Sequence, residues 1–234
     1  MGDRTGTRPY ELDAYPRFEV TVDIVILTAV DRRLGVLLIE RGDATEQGRW
    51  ALPGGFKTPD ETLDAAARRE LHEETSVRAP RHLSQLRAYG DPGRDPRGNV
   101  VTIAYVAGVP EVSDVKGGSD ARDATVRSVD DVIGGKVRLA FDHRRIVTDA
   151  RDHVRGELDR SDIALSFLGT TFTLSELREV HEAISGDVLD PANFRRTILN
   201  TERPLIEATG QLGRPGPGGG RPPELFRPIR TTRR

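Results

Sequence analysis

The sequence predicts an α+β domain, a sheet with a helix packed on it, followed by a smaller helical unit that closes in a hairpin. Three observations carry this. Up to Val129 the apolar runs are rich in β-branched residues and do not alternate regularly with helical patterns, which argues against a doubly wound parallel sheet. Beyond Phe141 the apolar spacing becomes helical. At 234 residues the chain can hold two such units, dividing as an N-terminal extension over 1–17, a first domain over 18–140 and a second over 141–234.

Glu19 to Leu27 (EVTVDIVIL) and Leu34 to Ile39 (LGVLLI) flank the polar Asp31-Arg32-Arg33 turn and read as a β-hairpin. Asn99 to Val109 (NVVTIAYVAGV) is a strongly apolar strand, and Ala124 to Val129 a weaker one. Between hairpin and strand lies a helix whose face Leu63, Ala66, Ala67 and Leu71 packs on the sheet. Its start is open on the residues alone: Thr58-Pro59-Asp60-Glu61 scans as a capping box, and Thr62 is an equally good cap.

Past Phe141, Asp142 can cap a helix in which Ile146, Ala150, Val154 and Leu158 recur every four residues. Thr173-Leu174-Ser175-Glu176 is a capping box that opens a second helix with Leu177, Val180, His181 and Ile184 inward, and Gly186 is its left-handed stop. Asp190-Pro191 opens a third, with Phe194 and Ile198 inward and Asn193, Arg195, Arg196 and Asn200 outward. Two short helices joined by a tight turn, the second presenting arginine and asparagine, suit a helix-turn-helix. Leu205 to Ala208 and Leu225 to Ile229 can pair around the Gly/Pro-rich loop Gly210 to Pro223 as its wing. The candidate DNA contacts are Asn193, Arg195, Arg196, Thr197 and Asn200 on the helix, with Arg214, Arg221 and Arg227 of the wing reaching phosphates.

Charge follows the same division. Residues 191–234 carry nine arginines, no lysine and three acids, whereas both earlier stretches are net acidic, so a polyanion-binding end is expected on a chain whose overall net charge is only −2. The 36% hydrophobic and 31% charged composition is that of a soluble globular protein, with no apolar run long enough to span a bilayer and no secretory leader at Met1 to Tyr10, so the expected location is the cytoplasm. With no cysteine there is neither disulfide nor thiolate chemistry, and any metal must be held by oxygen or imidazole, which favours a hard cation.

One segment carries chemistry. From Gly55 five residues lead to Glu61, and seven more lead to Arg69-Glu70-Leu71-His72-Glu73-Glu74-Thr75-Ser76-Val77. On a helix Glu70, Glu73 and Glu74 crowd one edge, where like charges cost roughly 0.2–0.5 kcal/mol per pair. A divalent cation reverses that repulsion, can bridge pyrophosphate oxygens and can activate water. Gly54 and Gly55, lacking a Cβ, let backbone amides approach a phosphate, and Arg69 can orient a glutamate such as Glu61. The candidate ligand-binding residues are thus Trp50, Gly54, Gly55 and Arg69; the metal set is Glu70, Glu73 and Glu74.

This spacing resembles the box of the Nudix superfamily over about residues 18 to 132, which implies an α/β/α sandwich with a mixed sheet, keeps Glu61 in the loop and so favours Thr62 as the cap. The Leu139-Ala140-Phe141-Asp142-His143 junction, Phe172-Thr173-Leu174-Ser175-Glu176-Leu177 and Asn193-Phe194-Arg195-Arg196 extend the resemblance, over nearly the whole chain, to the NrtR family of Nudix-related transcriptional regulators of NAD metabolism. It implies a homodimer whose winged helix-turn-helix binds double-stranded operator DNA as a repressor, and a Nudix domain that senses ADP-ribose or a related nucleotide. The alternative it implies is a magnesium- or manganese-dependent ADP-ribose pyrophosphatase, with Glu73 and Glu74 catalytic and the C-terminal helices used for dimerisation. Two departures point to weak or absent hydrolysis. The family's glycine before the last apolar residue of the box is Ser76, and where such pyrophosphatases use a loop glutamate, residues 112–124 offer only Asp114, Asp120 and Asp123.

Overall fold

The computed structural model describes residues 15–75, 80, 82–110, 112, 121–215 and 221–229, with only the backbone of Glu74, Thr75, Ala121 and Arg122. Ser76, Asp114, Asp120 and most of the N-terminal extension lie outside the described residues.

β1 (Glu19–Val30) and β2 (Arg33–Arg41) form the expected hairpin, closed by Asp31 and Arg32 in left-handed conformations (φ 47° and 59°), which suits the right-handed twist of the strands. β3 (Trp50–Ala51) pairs with β2, and β4 (Gly54–Phe56) with β1. β5 (His82–Tyr89), β6 (Val100–Gly108) and β7 (Ala121–Ser128) complete a seven-stranded sheet in the order β3-β2-β1-β6-β5, with β7 added on β2. β1 and β6 run parallel while the other pairs are antiparallel, so the sheet is mixed.

Alternation along β1 decides what each face buries. Val22, Ile24 and Ile26 face α1 (Leu63–Thr75), where Ala66, Ala67 and Leu71 meet Tyr105 and Val109. Val25 and Leu27 face the other way, toward α2 (Val129–Ile133), α3 (His143–Glu157), the 3-10 helix over Ile163–Phe167 and α4 (Leu174–Ser185). The result is an α/β/α sandwich.

The C-terminal helices start and stop where their local chemistry dictates. Thr173 Oγ1 accepts from the Glu176 N–H at 3.2 Å while the Glu176 carboxylate accepts from the Thr173 N–H at 2.6 Å, and Gly186 ends α4 with φ 83°. Asp190 caps α5 (Pro191–Leu199) through the Asn193 N–H. Asp142 departs from expectation. It sits at the N-cap of α3 but makes no side-chain cap bond, because its carboxylate is taken by Arg94. β8 (Ile206–Leu212) and β9 (Glu224–Pro228) pair as the wing, and Phe226 exchanges both backbone bonds with Phe172 just before α4.

His181 locks α4 to α5, its ring edge-on to Phe194 at 5.1 Å, and burial lowers it from the ordinary 6.5 to about 4. The folded state therefore binds the proton less well than the unfolded chain. Stability is complete above about pH 6.5 and falls as pH drops through 4, by about 3 kcal/mol. Thermal unfolding followed against pH should show this acid limb, and His181→Leu should flatten it; an unchanged limb would place the sensitivity elsewhere.

Candidate functional site

The box assembles around Arg69. Thr62 Oγ1 accepts from the Ala65 N–H at 3.1 Å and so caps α1, while Glu61 stays in the loop and accepts from the Thr58 N–H at 2.8 Å. Arg69 closes a fork on Glu61, with Nε to Oε2 at 3.1 Å and Nη2 to Oε1 at 2.8 Å. That pairing, aided by the Thr58 amide, lowers the Glu61 carboxyl to about 2. Arg69 Nη1 also donates to Glu70 at 2.7 Å and to Glu73 at 3.2 Å. Glu70 is buried, and burial pushes its carboxyl above the ordinary value despite Arg69.

The two glycines are spatial necessities. A Cβ on Gly54 would lie 2.1 Å from the Val22 carbonyl, and one on Gly55 only 2.3 Å from Glu70 Oε1, so β4 presses on β1 and on the carboxylate at once.

Glu70 and Glu73 therefore converge on one cationic nitrogen and present a donor set of the kind a hard cation takes. The Glu74 side chain lies outside the described residues, among which no group of three or more acidic or imidazole side chains is disposed to hold a metal.

A cavity of about 300 Å³ opens beside these residues, lined by Gly54, Gly55, Glu70 and Glu73 on the box side. The opposite wall was not singled out by sequence reasoning. Asp23 of β1 is 8% exposed. Arg94 lies 3.7 Å from it and chelates Asp142, the shortest bond being Nη2 to Oδ1 at 2.7 Å. His143 Nδ1 accepts from the Leu52 N–H at 2.9 Å, which leaves Nε2 to face Asp23 Oδ1 at 3.6 Å; burial lowers its pKa and keeps the ring neutral.

Also lining the cavity, the Phe141 ring meets the guanidinium groups of Arg41 (4.9 Å) and Arg97 (5.3 Å), and Arg97 is held by Asp95. Burial alone would raise Asp95, but the Arg97 bonds outweigh it and hold the carboxyl low. Three arginines and a ring suit a ligand with phosphate and a flat base.

Of the expected ligand residues, Gly54 and Gly55 line this cavity and Arg69 holds its glutamates. Trp50 is not among the lining residues: it sits on β3, bridged to Leu139, with Arg127 over its ring at 5.4 Å. The signals for the missed wall were a carboxylate, Asp23, set between Val22 and the apolar run Ile24 to Leu27, and the charged Gly/Pro loop Gly90-Asp91-Pro92-Gly93-Arg94-Asp95-Pro96-Arg97-Gly98.

At the other end of the molecule α5 turns Asn193, Arg195, Arg196, Thr197 and Asn200 to the surface while Phe194 is buried. Arg196 is oriented by Asn193 at 3.0 Å, and Arg195 lies 3.9 Å from Glu224 of the wing. Arg214, Arg221 and Arg227 are exposed, Arg227 pairing with Glu207 across the wing at 2.8 Å.

Comparison with known proteins agrees with this geometry at both ends. A NUDIX domain model matches residues 17–150, and a model of the NrtR DNA-binding winged helix domain matches residues 164–227. The chain is 31% identical over 220 residues, 93% of its length and 85% of the relative's, to the ADPR responsive transcriptional repressor NtrR of Acinetobacter baylyi. Among solved structures it resembles Shewanella oneidensis NrtR complexed with a 27mer DNA, with TM-score 0.73 and 32% identity over 90% of this chain and 93% of that one. It also resembles the NUDIX domain of the same Shewanella protein complexed with ADP ribose, with TM-score 0.56 and 34% identity over 62% of this chain and 94% of that one. With its sandwich, glutamate box and winged helix in one continuous match, the chain belongs to the NrtR family.

Proposed function

We propose that this protein is a DNA-binding transcriptional repressor of NAD biosynthesis or salvage genes, acting in the cytoplasm as a homodimer, with its Nudix domain sensing ADP-ribose or a related nucleotide. The observation that carries the reading is the union, in one chain, of a nucleotide-sized cavity walled by Arg41, Arg94 and Arg97 with a capped helix presenting Asn193, Arg195, Arg196, Thr197 and Asn200 beside a basic wing. Its relatives support it: one is a repressor responsive to ADPR, and one was solved on DNA. No helix among the described residues is long and apolar enough to cross a membrane.

In this reading α5 enters the major groove, Arg195 and Arg196 reach bases or phosphates, and Arg214, Arg221 and Arg227 follow the backbone. Magnesium or manganese, if bound, would be held by Glu70, Glu73 and Glu74 and would neutralise the diphosphate. This chain's own contribution is to set Arg94 and the Gly54-Gly55 backbone against the ligand.

Efficient hydrolysis is not part of the reading. Glu73 and Glu74 would be the catalytic groups of a residual pyrophosphatase, but nothing on the described wall of the cavity supplies a glutamate base beyond the box.

The test is a mobility shift on promoter DNA of NAD biosynthesis and salvage genes from the protein's own genome, with and without ADP-ribose, run beside product analysis with magnesium. Binding that ADP-ribose alters, without stoichiometric release of AMP, is the expected result. Failure to bind any such promoter, or rapid AMP release that Glu73→Gln abolishes, would replace it with the pyrophosphatase reading.

A further inference from the structure

Sensing, as proposed above, needs a physical connection between the cavity and the recognition helix, and two elements that wall the cavity also end on α4, the helix that precedes it. β1 supplies Thr21 and Asp23 to the cavity and β2 supplies Ile39 and Arg41. The same two strands close at Asp31-Arg32, about eight residues or roughly 25 Å farther on. Phe141 and His143 line the cavity at the head of α3, and Arg155 stands near its other end, roughly 18 Å away.

Both far ends land on the last turns of α4. Arg32 Nε lies 3.3 Å from Glu182 Oε2, and its Nη2 is 3.9 Å from Glu179. Arg155 Nε donates to the Ile184 carbonyl at 2.8 Å. Glu182 in turn holds the segment that leads into α5, since its Oε1 accepts from the Leu189 N–H at 2.9 Å and from Arg178 at 2.6 Å.

The Glu182 side chain is only 2% exposed, and its Oε2 accepts no hydrogen bond, so the Arg32 charge is what offsets the burial of that oxygen. Burial pushes the Glu182 carboxyl up, but the Leu189 amide, Arg178 and Arg32 outweigh it and keep the group ionised. An ionic contact between the sheet hairpin and a buried carboxylate that anchors the turn before a DNA-reading helix is more than a surface pair of the kind that contributes little.

We propose that Arg32, acting through Glu182, is a positioning residue for α5 and the contact by which occupancy of the nucleotide cavity is transmitted to DNA binding, with Arg155 on Ile184 as a second strut. The inference rests on the sensing function proposed above. A ligand that draws β1 and β2 together around Asp23 and Arg41 shifts the far end of the hairpin, and the hairpin bears on Glu182. Coupling of this kind is a free energy between two sites, and it disappears when the shared element is disconnected even though each site still binds.

Arg32→Gly disconnects it while keeping the turn, because Arg32 is half-exposed and its φ of 59° favours glycine; the cost falls on Glu182 Oε2, which loses its compensating charge. In the full-length protein, ADP-ribose should change the DNA dissociation constant of the parent on the order of 5- to 150-fold. In Arg32→Gly that change should shrink to within about twofold of none, while ADP-ribose affinity measured without DNA stays at the parent's value and the protein, though melting somewhat lower, remains folded at the assay temperature. Glu182→Gln should lose coupling similarly, and combining the two should lose no more than either alone, the signature of one shared contact. Retention of the parent's ligand effect in Arg32→Gly, loss of ADP-ribose binding itself, or additive losses in the double variant would each overturn the assignment. A parent protein whose DNA binding ignores ADP-ribose would overturn the sensing function as well, and that result appears before any variant is made.

Discussion

Arg94→Ala should lower stability by about 3–5 kcal/mol, because it removes one partner of a buried ionic cluster and leaves the others uncompensated. The Arg94 side chain is 5% exposed and faces Asp142 and Asp23, of which Asp23 lines the cavity. With the guanidinium gone, two carboxylates remain beside His143, whose burial disfavours the charge that would compensate them. For a chain of this size the melting temperature should fall on the order of 10 °C. ADP-ribose affinity should fall by at least about tenfold, since the ligand's diphosphate would lose a cation on the cavity wall and face the uncompensated Asp23. Arg94→Lys, which keeps the charge but not the fork, should lie between parent and alanine variant. Adding Asp142→Asn to the alanine variant should restore part of the stability. Calorimetric melting and titration with ADP-ribose read all three, and an alanine variant that melts and binds like the parent would show that the cluster supports neither the fold nor the ligand.

The second large effect is expected on DNA. Arg195 and Arg196 are exposed on α5, so replacing both by alanine should leave the melting temperature within about 2 °C of the parent. Each contact to a base edge or phosphate contributes ~1–3 kcal/mol, and the double variant should therefore bind promoter DNA on the order of a hundredfold more weakly. The two roles separate by salt. Removing an arginine that binds phosphate reduces the slope of log affinity against log salt by about one, whereas removing one that reads a base relaxes sequence preference and leaves the slope nearly unchanged. Unchanged affinity in the double variant would show that α5 is not the reading helix.

Features settled within a few residues were legible in the sequence. The Thr173–Glu176 box, the Gly186 stop, the Asp190 cap and the Asp31-Arg32 hairpin turn all depend on hydrogen bonds or backbone angles among near neighbours. The glutamate box was legible for the same reason, because one helix and the loop before it carry nearly all of its geometry.

The far wall of the cavity was not. Asp23, Arg94 and His143 come from elements up to 120 residues apart, and the local signals at Asp23 and in the loop over 90–98 do not show that the three meet. Asp142 illustrates the limit, since its position before an apolar helical repeat reads as a cap, yet an arginine 48 residues away takes its carboxylate. β5 was missed because its mixed polarity, HLSQLRAY, is that of an edge strand without a clean alternation. Trp50 was drawn toward the ligand by its place beside the glycines, but β3 turns it toward Leu139 and Arg127 instead.

The apolar cluster on the α3 face of the sheet does not stop at residue 141. It runs without a break from Val25 and Val36 through Ile146 and Val154 to Leu177, Phe194 and Phe226, and so joins the strands of the first unit to the wing of the second. Two units that share a core melt as one. Heating should give a single cooperative transition in which the reading helix and the sheet are lost together. A chain cut at residue 141 would leave Leu27, Val36 and Leu38 facing water and invite self-association. The DNA-reading part is therefore not an interchangeable attachment, and its sequence can change only in step with the sheet beneath it.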